Sequence, residues 1–219
     1  IFWDMYGGEP MIIPLFWKTL DQAIASTTAK HKMFNVHTNG MVYKEDLVEK
    51  FSKFKSAHIG FSIDGIGEKN DYIRYGSKWE DIIDNLKKYM DDCKKYTNVS
   101  IGVRATITPW NIYHYSENHD YFKKLGIKAT GVWCDDKPWN DVRYLPNKIK
   151  DAVIEKLEHY DNDEQSWSTL LDDIKKWLRT TPDDHEQLQH SFMEFNNKID
   201  QVRKEKFNST FPEYSKLFV

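Results

Sequence analysis

What most constrains this chain is a recurring unit: a short apolar run, an abrupt polar or glycine-containing turn, then an amphipathic stretch. FWDMY stops at Gly7-Gly8, MFNVH at Thr38-Asn39-Gly40, and AHIGFSI at Asp64-Gly65. VSIGVRATI ends near Thr108-Pro109, and the fifth run, IKATGVW, leads into Cys134-Asp135-Asp136. Helix-like stretches separate them, roughly Pro14 to Lys30, Lys44 to Lys55, Ser77 to Tyr96 and Ser116 to Leu125. In the third stretch Ser77 is placed as an N-cap, and Trp79, Ile82, Ile83, Leu86 and Met90 share one face. Five such repeats predict an α/β chain of parallel strands joined by right-handed crossovers. Periodicity fits a barrel and an open sheet alike. In both, the polar residues that follow each strand lie at the carboxyl ends, which is the ligand-binding edge.

Past Pro146 the character changes. Residues 147–160, about 166–179 and about 184–206 read as polar amphipathic helices, punctuated by Pro182 and Pro212. Trp167, Leu170, Leu171, Ile174, Trp177 and Leu178 supply an apolar face there, of the kind that packs. The expected organisation is an α/β domain over residues 1–146 and a helical extension over 147–219, packed on the barrel.

Bulk properties remove several classes. A chain of 219 residues with 40% hydrophobic residues is long and apolar enough to bury a substantial core. Its formal net charge of −3 gives no reason to expect a nucleic-acid surface. No apolar run approaches the roughly 20 residues of a membrane span, and no signal-peptide pattern opens the chain. Two cysteines, Cys93 and Cys134, make no disulfide framework, which fits a reducing cytoplasm. They have no CxxC pairing, so a four-cysteine metal or cluster site cannot come from this chain alone. The eight histidines show neither HxH nor HExxH spacing, and His37 alone stands at a strand end near the polar turns. The first residue is Ile rather than Met, and a fragment or processed chain is expected.

GGEP after the first strand, HTNG after the second and SIDG after the third, with Arg74 ten residues past Asp64, resemble the radical S-adenosylmethionine (SAM) enzymes. The similarity covers roughly residues 1–134 in order and spacing. DKPWNDVRYLPNKIK and FMEFNNKIDQVRKEKFNSTFPEY resemble the C-terminal part of twitch-domain members of that family. The resemblance implies a partial (β/α)6 TIM-like barrel whose first strand precedes a CxxxCxxC loop holding a [4Fe–4S] cluster. SAM chelates that cluster, and its reductive cleavage gives a 5′-deoxyadenosyl radical that abstracts hydrogen from substrate. This sequence has no CxxxCxxC. FWDMY would then be the family's second strand, with the first strand and the cluster ligands upstream of Ile1. On its own the chain is expected to bind no cluster and not to turn over. For the full-length enzyme the resemblance implies a small-molecule or peptide substrate and a reductant such as flavodoxin or ferredoxin. No nucleic acid or membrane is expected as a partner.

Residue by residue, Gly7 and Gly8 allow a ligand close to the backbone. Their carbonyls, with the carboxylate of Glu9 before Pro10, suit the ammonium of SAM's methionine. The competing reading is a tight strand-to-helix turn with Glu9 favoured near a helix N-terminus. Thr38 and Asn39 suit the methionyl carboxylate or the ordering of their own loop, Asn-Gly being a turn signal as well. Ser62 and Asp64 project to one side if residues 58–64 form a strand, which fits ribose, methionyl or substrate contact. An Asp-Gly turn with Ser62 satisfied by backbone is the plainer reading. Arg74 and Arg104 both offer a planar fork for a carboxylate. For Arg74 that carboxylate is either SAM's or that of Asp64; Arg104 is favoured over it for SAM, and Arg74 for organising the loop. Thr106 and Thr108 share the face of Arg104, where either hydroxyl suits a SAM contact or is merely a strand residue, and Asn111 follows. The resemblance puts Val132 and Trp133 against the adenine. Cys134 reads as structural, since Asp135 and Asp136 oppose a thiolate. The competing function is a non-catalytic (β/α) barrel module that binds a nucleotide-like or anionic ligand at the same strand ends.

Overall fold

A computed structural model describes residues 2–5, 7–160 and 165–217, with backbone alone for 165–168. Tyr6, the expected end of the first strand, and the Trp167 side chain lie outside the described residues. The chain runs β1 (Phe2–Met5), α1 (Pro14–Ala25), β2 (Met33–Thr38), α2 (Leu47–Ser52) and β3 (Ser56–Ser62). It continues with α3 (Glu68–Ile73), α4 (Trp79–Cys93), β4 (Val99–Ile107), α5 (Tyr115–Lys124) and β5 (Lys128–Trp133). Helices α6 (Asn147–Glu158), α7 (Gln165–Arg179), α8 (His185–Leu188), α9 (Ser191–Arg203), α10 (Phe207–Thr210) and α11 (Pro212–Leu217) complete it.

All five apolar runs are strands, in the order β1-β2-β3-β4-β5, and β1 to β4 pair in parallel. Strands that follow one another in space as in sequence are wound as in a barrel. A doubly wound sheet would reverse from an interior strand. The α/β fold with its parallel sheet is consistent with a partial barrel.

Side chains alternate across the strands and give the sheet two unlike faces. One carries Phe34, Val36, Ile59, Phe61 and Val103, buried with Leu20, Leu47, Phe51, Ile82, Leu86 and Tyr89 of the helices. Phe34 centres this core, its ring 5.1 Å from Phe51 and 5.0 Å from Phe54. The other face carries Asp4, Asn35, His37, His58, Ser100 and Arg104.

Contacts divide the chain into two compact units. The first comprises residues 1–63, 76–105 and 122–130, the second 64–75, 106–121 and 131–219. In the second, Phe192, Phe207, Phe211 and Tyr214 form an aromatic core, and buried Asn196 accepts from Tyr72 Oη at 3.2 Å and Trp110 Nε1 at 2.7 Å. Glu213 on α11 takes Lys69 at 3.2 Å and contacts the His114 ring. Leu171, Ile174 and Leu178 of the expected apolar face are buried.

Element ends depart from expectation for local reasons. Helix α1 stops at Ala25 rather than Lys30, because Thr27 takes φ 59°. Lys78, not Ser77, holds the cap position of α4, in extended geometry and without a side-chain cap. Tyr89 rather than Met90 completes the buried face of that helix, where its hydroxyl accepts the Lys44 N–H at 2.7 Å. No helix of the described residues is long and apolar enough to cross a membrane.

Candidate functional site

The turn after β1 is built on Gly7 at φ 97° and Gly8 at φ 63°. A Cβ at Gly7 would meet nothing within 4 Å, so backbone conformation rather than crowding selects glycine there. Glu9 follows, and its carboxylate reaches across to the turn after β2. Oε1 accepts the Thr38 hydroxyl at 2.9 Å and the Met11 N–H at 3.1 Å, while Oε2 accepts the Asn39 N–H at 2.7 Å. Thr38 Oγ1 in turn accepts from the Gly40 N–H at 3.1 Å, and Asn39 Oδ1 accepts from the Met41 N–H at 2.9 Å. Pro10 is buried at the start of a single 3-10 turn. The GGEP and TNG turns are thus joined by one carboxylate with both oxygens engaged. Thr38 is 2% exposed and its hydroxyl both donates and accepts within the protein.

Ser62 and Arg104 are register partners on β3 and β4, so their side chains leave the same face. Ser62 is half-buried and Arg104 exposed. The Arg104 charge also acts on His37, whose pKa is lowered by burial first and by this guanidinium in a smaller part, against the opposing pull of Asp4.

Asp64 lies past the end of β3, in the second unit, and is 6% exposed. Its Oδ2 pairs with Arg74 Nε at 2.8 Å, and its Oδ1 accepts the Thr106 N–H at 2.7 Å. Its own N–H donates to Asn70 Oδ1 at 3.2 Å. Burial pushes the Asp64 carboxyl above the usual range, and Arg74 and the Thr106 N–H oppose that shift. Buried Asn111 holds the loop beyond, donating to Thr106 O at 2.7 Å and accepting from Thr108 N–H at 2.9 Å. Thr108 Oγ1 is buried with no hydrogen-bond partner among the described residues.

At the end of β5, Val132 and Trp133 are half-buried. The Trp133 ring stacks on Trp177 of α7 at 5.1 Å and 29°, and the Arg143 guanidinium lies 4.2 Å from the Trp177 ring centre. One face of Trp133 is therefore covered by protein. Cys134 Sγ donates to Asp136 Oδ1 at 3.2 Å, and burial, then Asp136, push its thiol up to about 11.

A polar cluster not expected from the sequence lies on the sheet face. Asn35 Nδ2 donates to Asp4 Oδ1 at 2.8 Å and contacts His37 Nε2 at 3.1 Å, and His58 Nδ1 lies 2.9 Å from Ser100 Oγ. The available signal was the alternation Asn35, His37 within MFNVH, which puts both on one face.

A [4Fe–4S] cluster finds no fit in this chain. Cys93 and Cys134 are free thiols, each pushed up to about 11 with burial as the first cause. Among the described residues no group of three or more His, Cys, Asp or Glu is placed to hold a metal.

No family model matches the chain. A stretch of 106 residues, 48% of the chain, is 28% identical to an Fe-coproporphyrin III synthase of Methanosarcina barkeri (strain Fusaro / DSM 804), of which it covers 25%. Among solved structures, native anSMEcpe with bound AdoMet (S-adenosylmethionine) and the Cp18Cys peptide matches with a TM-score of 0.52 at 16% identity, over 82% of this chain and 49% of that one. A polyhistidine-tagged anSMEcpe with bound AdoMet matches with a TM-score of 0.50 at 17% identity, over 82% and 46%. The chain thus spans about half the length of these solved neighbours and a quarter of the curated relative. Its fold is that of these AdoMet-bound proteins, and the sequence match supports the resemblance to the radical SAM family.

Proposed function

We propose that this chain is part of a radical SAM enzyme and that its first unit carries the methionyl-binding part of the SAM site. The carrying observation is the Glu9 carboxylate, which binds the Thr38 hydroxyl and the Asn39 N–H and so locks the GGEP turn to the TNG turn. With its oxygens engaged, Glu9 supplies a fixed negative charge and a rigid turn. Gly7 and Gly8 then offer backbone to an ammonium group, and Asn39 gains a fixed position beside it. Ser62 and Arg104, paired across β3 and β4, supply a hydroxyl and a guanidinium for the methionyl carboxylate. In the second unit, Arg74 organises the loop through Asp64.

SAM, when bound, would supply the 5′-deoxyadenosyl radical for hydrogen abstraction. This chain's own residues bind and orient; they do not ligate the cluster. A small-molecule or peptide substrate, a flavodoxin or ferredoxin reductant and a cytoplasmic setting belong to the same proposal. Its support is the AdoMet bound by the solved neighbours together with the order of the three turns.

Calorimetric titration of SAM tests it. Saturable binding is expected, weakened at least about tenfold by Glu9→Gln and by Arg104→Ala. Binding unchanged in both variants, or no binding at all, overturns the reading.

A further inference from the structure

The polar face of the sheet holds a cavity at the other end of the strands. It measures about 420 Å³ and lies within the first unit, among residues that include Phe2, Met33, Asn35, His58, Asn98 and Ser100. That volume is in the range of small-molecule sites. Met33, on its rim, and Thr38, at the carboxyl end of β2, are separated by roughly 16 Å at about 3.3 Å per residue.

The hydrogen bonds around this cavity give it a definite polarity. Ser100 Oγ donates to Ala57 O at 3.3 Å, so its 2.9 Å contact with His58 Nδ1 has the imidazole as donor. His58 Nε2 is then a lone-pair acceptor. Asn35 uses its amide protons on Asp4 Oδ1 and His37 Nε2, which leaves Oδ1 as an acceptor. That oxygen is buried with no hydrogen-bond partner among the described residues. Asn98 commits its amide protons to Ser52 O and Phe54 O at 2.9 and 2.7 Å. Burial lowers the pKa of both His37 and His58, which keeps the imidazoles neutral.

The site is also cleared in shape. A Cβ at Gly102 would lie 3.0 Å from His58 Cε1, and one at Gly60 would lie 2.9 Å from His37 Nδ1. Glycine on the neighbouring strand thus lets each ring lie down on the sheet. Phe2 and Met33, paired in register, leave 57% and 41% of their surface exposed at the rim. No Lys or Arg lines the cavity among the described residues. The Asp4 carboxylate sits in the same network.

We propose that this cavity binds a small hydrogen-bond-donating ligand, an amine or ammonium on an apolar body, independently of SAM. The donors of such a ligand meet His58 Nε2, its charge is favoured by the Asp4 carboxylate bonded to Asn35, and its apolar part covers Phe2 and Met33. A carboxylate of the same size meets acceptors and is rejected.

Benzylammonium and benzoate, two probes with the same ring and opposite charge, test this on the 219-residue chain. Nitrogen-15 spectra of the imidazoles are expected to show His58 as the Nδ1–H form and to shift its Nε2 resonance saturably with benzylammonium. Benzoate should bind at least about tenfold more weakly. His58→Phe and Phe2→Ser should each weaken benzylammonium about fivefold or more, with the exposed Phe2 site serving as the variant that leaves the core intact. SAM affinity of Phe2→Ser should equal that of the parent chain, so loss of SAM binding in the parent would strike the SAM reading and leave this one standing. No saturable shift with benzylammonium, equal binding of benzoate, or indifference to both variants overturns the proposal.

Discussion

Glu9 and Thr38, 29 residues apart in sequence, share a 2.9 Å hydrogen bond in which the hydroxyl donates to Oε1. The same hydroxyl oxygen receives the Gly40 N–H at 3.1 Å. Thr38→Val therefore removes a donor from the half-buried Glu9 carboxylate and an acceptor from the buried Gly40 N–H, at a cost of about 1–3 kcal/mol. Urea unfolding should show a lower midpoint at unchanged slope, with Thr38→Ser close to the parent. Equal midpoints for the valine and serine variants would show that the hydroxyl carries no weight in joining the two turns.

Asp64 and Arg74 form the second such joint, at 2.8 Å. Removing the cation by Arg74→Met leaves a buried carboxylate with one compensating N–H, and a loss of about 3–5 kcal/mol is expected near neutral pH. The Asp64 carboxyl is already raised, and loss of Arg74 raises it further. A raised folded-state pKa means that the folded protein binds the proton more tightly, so this contribution is full below the unfolded value and is lost as pH rises. The deficit of the variant should narrow as pH falls from about 8 to about 4. Denaturation across that range measures it, and a pH-independent deficit would rule out the carboxylate as its source.

Gly40 stands at φ 78°, and a Cβ there would come within 2.8 Å of Phe61 Cδ1 and 3.1 Å of Ile82 Cγ2. Conformational strain and overpacking act together at this position, so Gly40→Ala should cost at least about 2 kcal/mol. A thermal melt near that of the parent would mean that the turn relaxes freely.

His58 has its pKa lowered, first by burial and then by His37. A folded-state value below the unfolded one gives stability that is present above the unfolded pKa and lost as pH falls through the folded one. His58→Gln should flatten the dependence of stability on pH below about 6.5, and an unchanged slope would assign acid sensitivity elsewhere.

Anaerobic incubation with iron and sulfide should leave no stoichiometric absorbance near about 400 nm on this chain, whose two thiols are both raised. Retention of a full cluster after gel filtration would contradict the absence of a fit at Cys93 and Cys134.

Much of the architecture was legible because it is local. Apolar runs closed by Gly7-Gly8, Thr38-Asn39-Gly40 and Asp64-Gly65 are strands in the structure, or end at them, since alternation and turn chemistry act over a few residues. Element ends were less legible. Ser77 is a good cap residue, yet Lys78 takes the position, and Thr27 ends α1 early in a conformation its sequence does not advertise. At the site, Arg74 was legible as a partner for a carboxylate, SAM's or that of Asp64, and the structure pairs it with Asp64. Asn70, which holds the Asp64 N–H, and Asn35, which joins Asp4 to His37, carried no motif.

By itself the sequence determined the strand–helix repeat, the polar character of every strand's carboxyl end and the absence of a CxxxCxxC motif. Period and composition are properties of neighbouring residues, so they need no fold to be read. Tertiary structure decided the partners: Glu9 with Thr38 and Asn39, Asp64 with the Thr106 N–H 42 residues away, and His58 with Ser100. Those contacts follow from the parallel register, which brings Ser62 beside Arg104 and His58 beside Ser100. Register is set by the whole sheet packing its apolar face, and no single segment contains it.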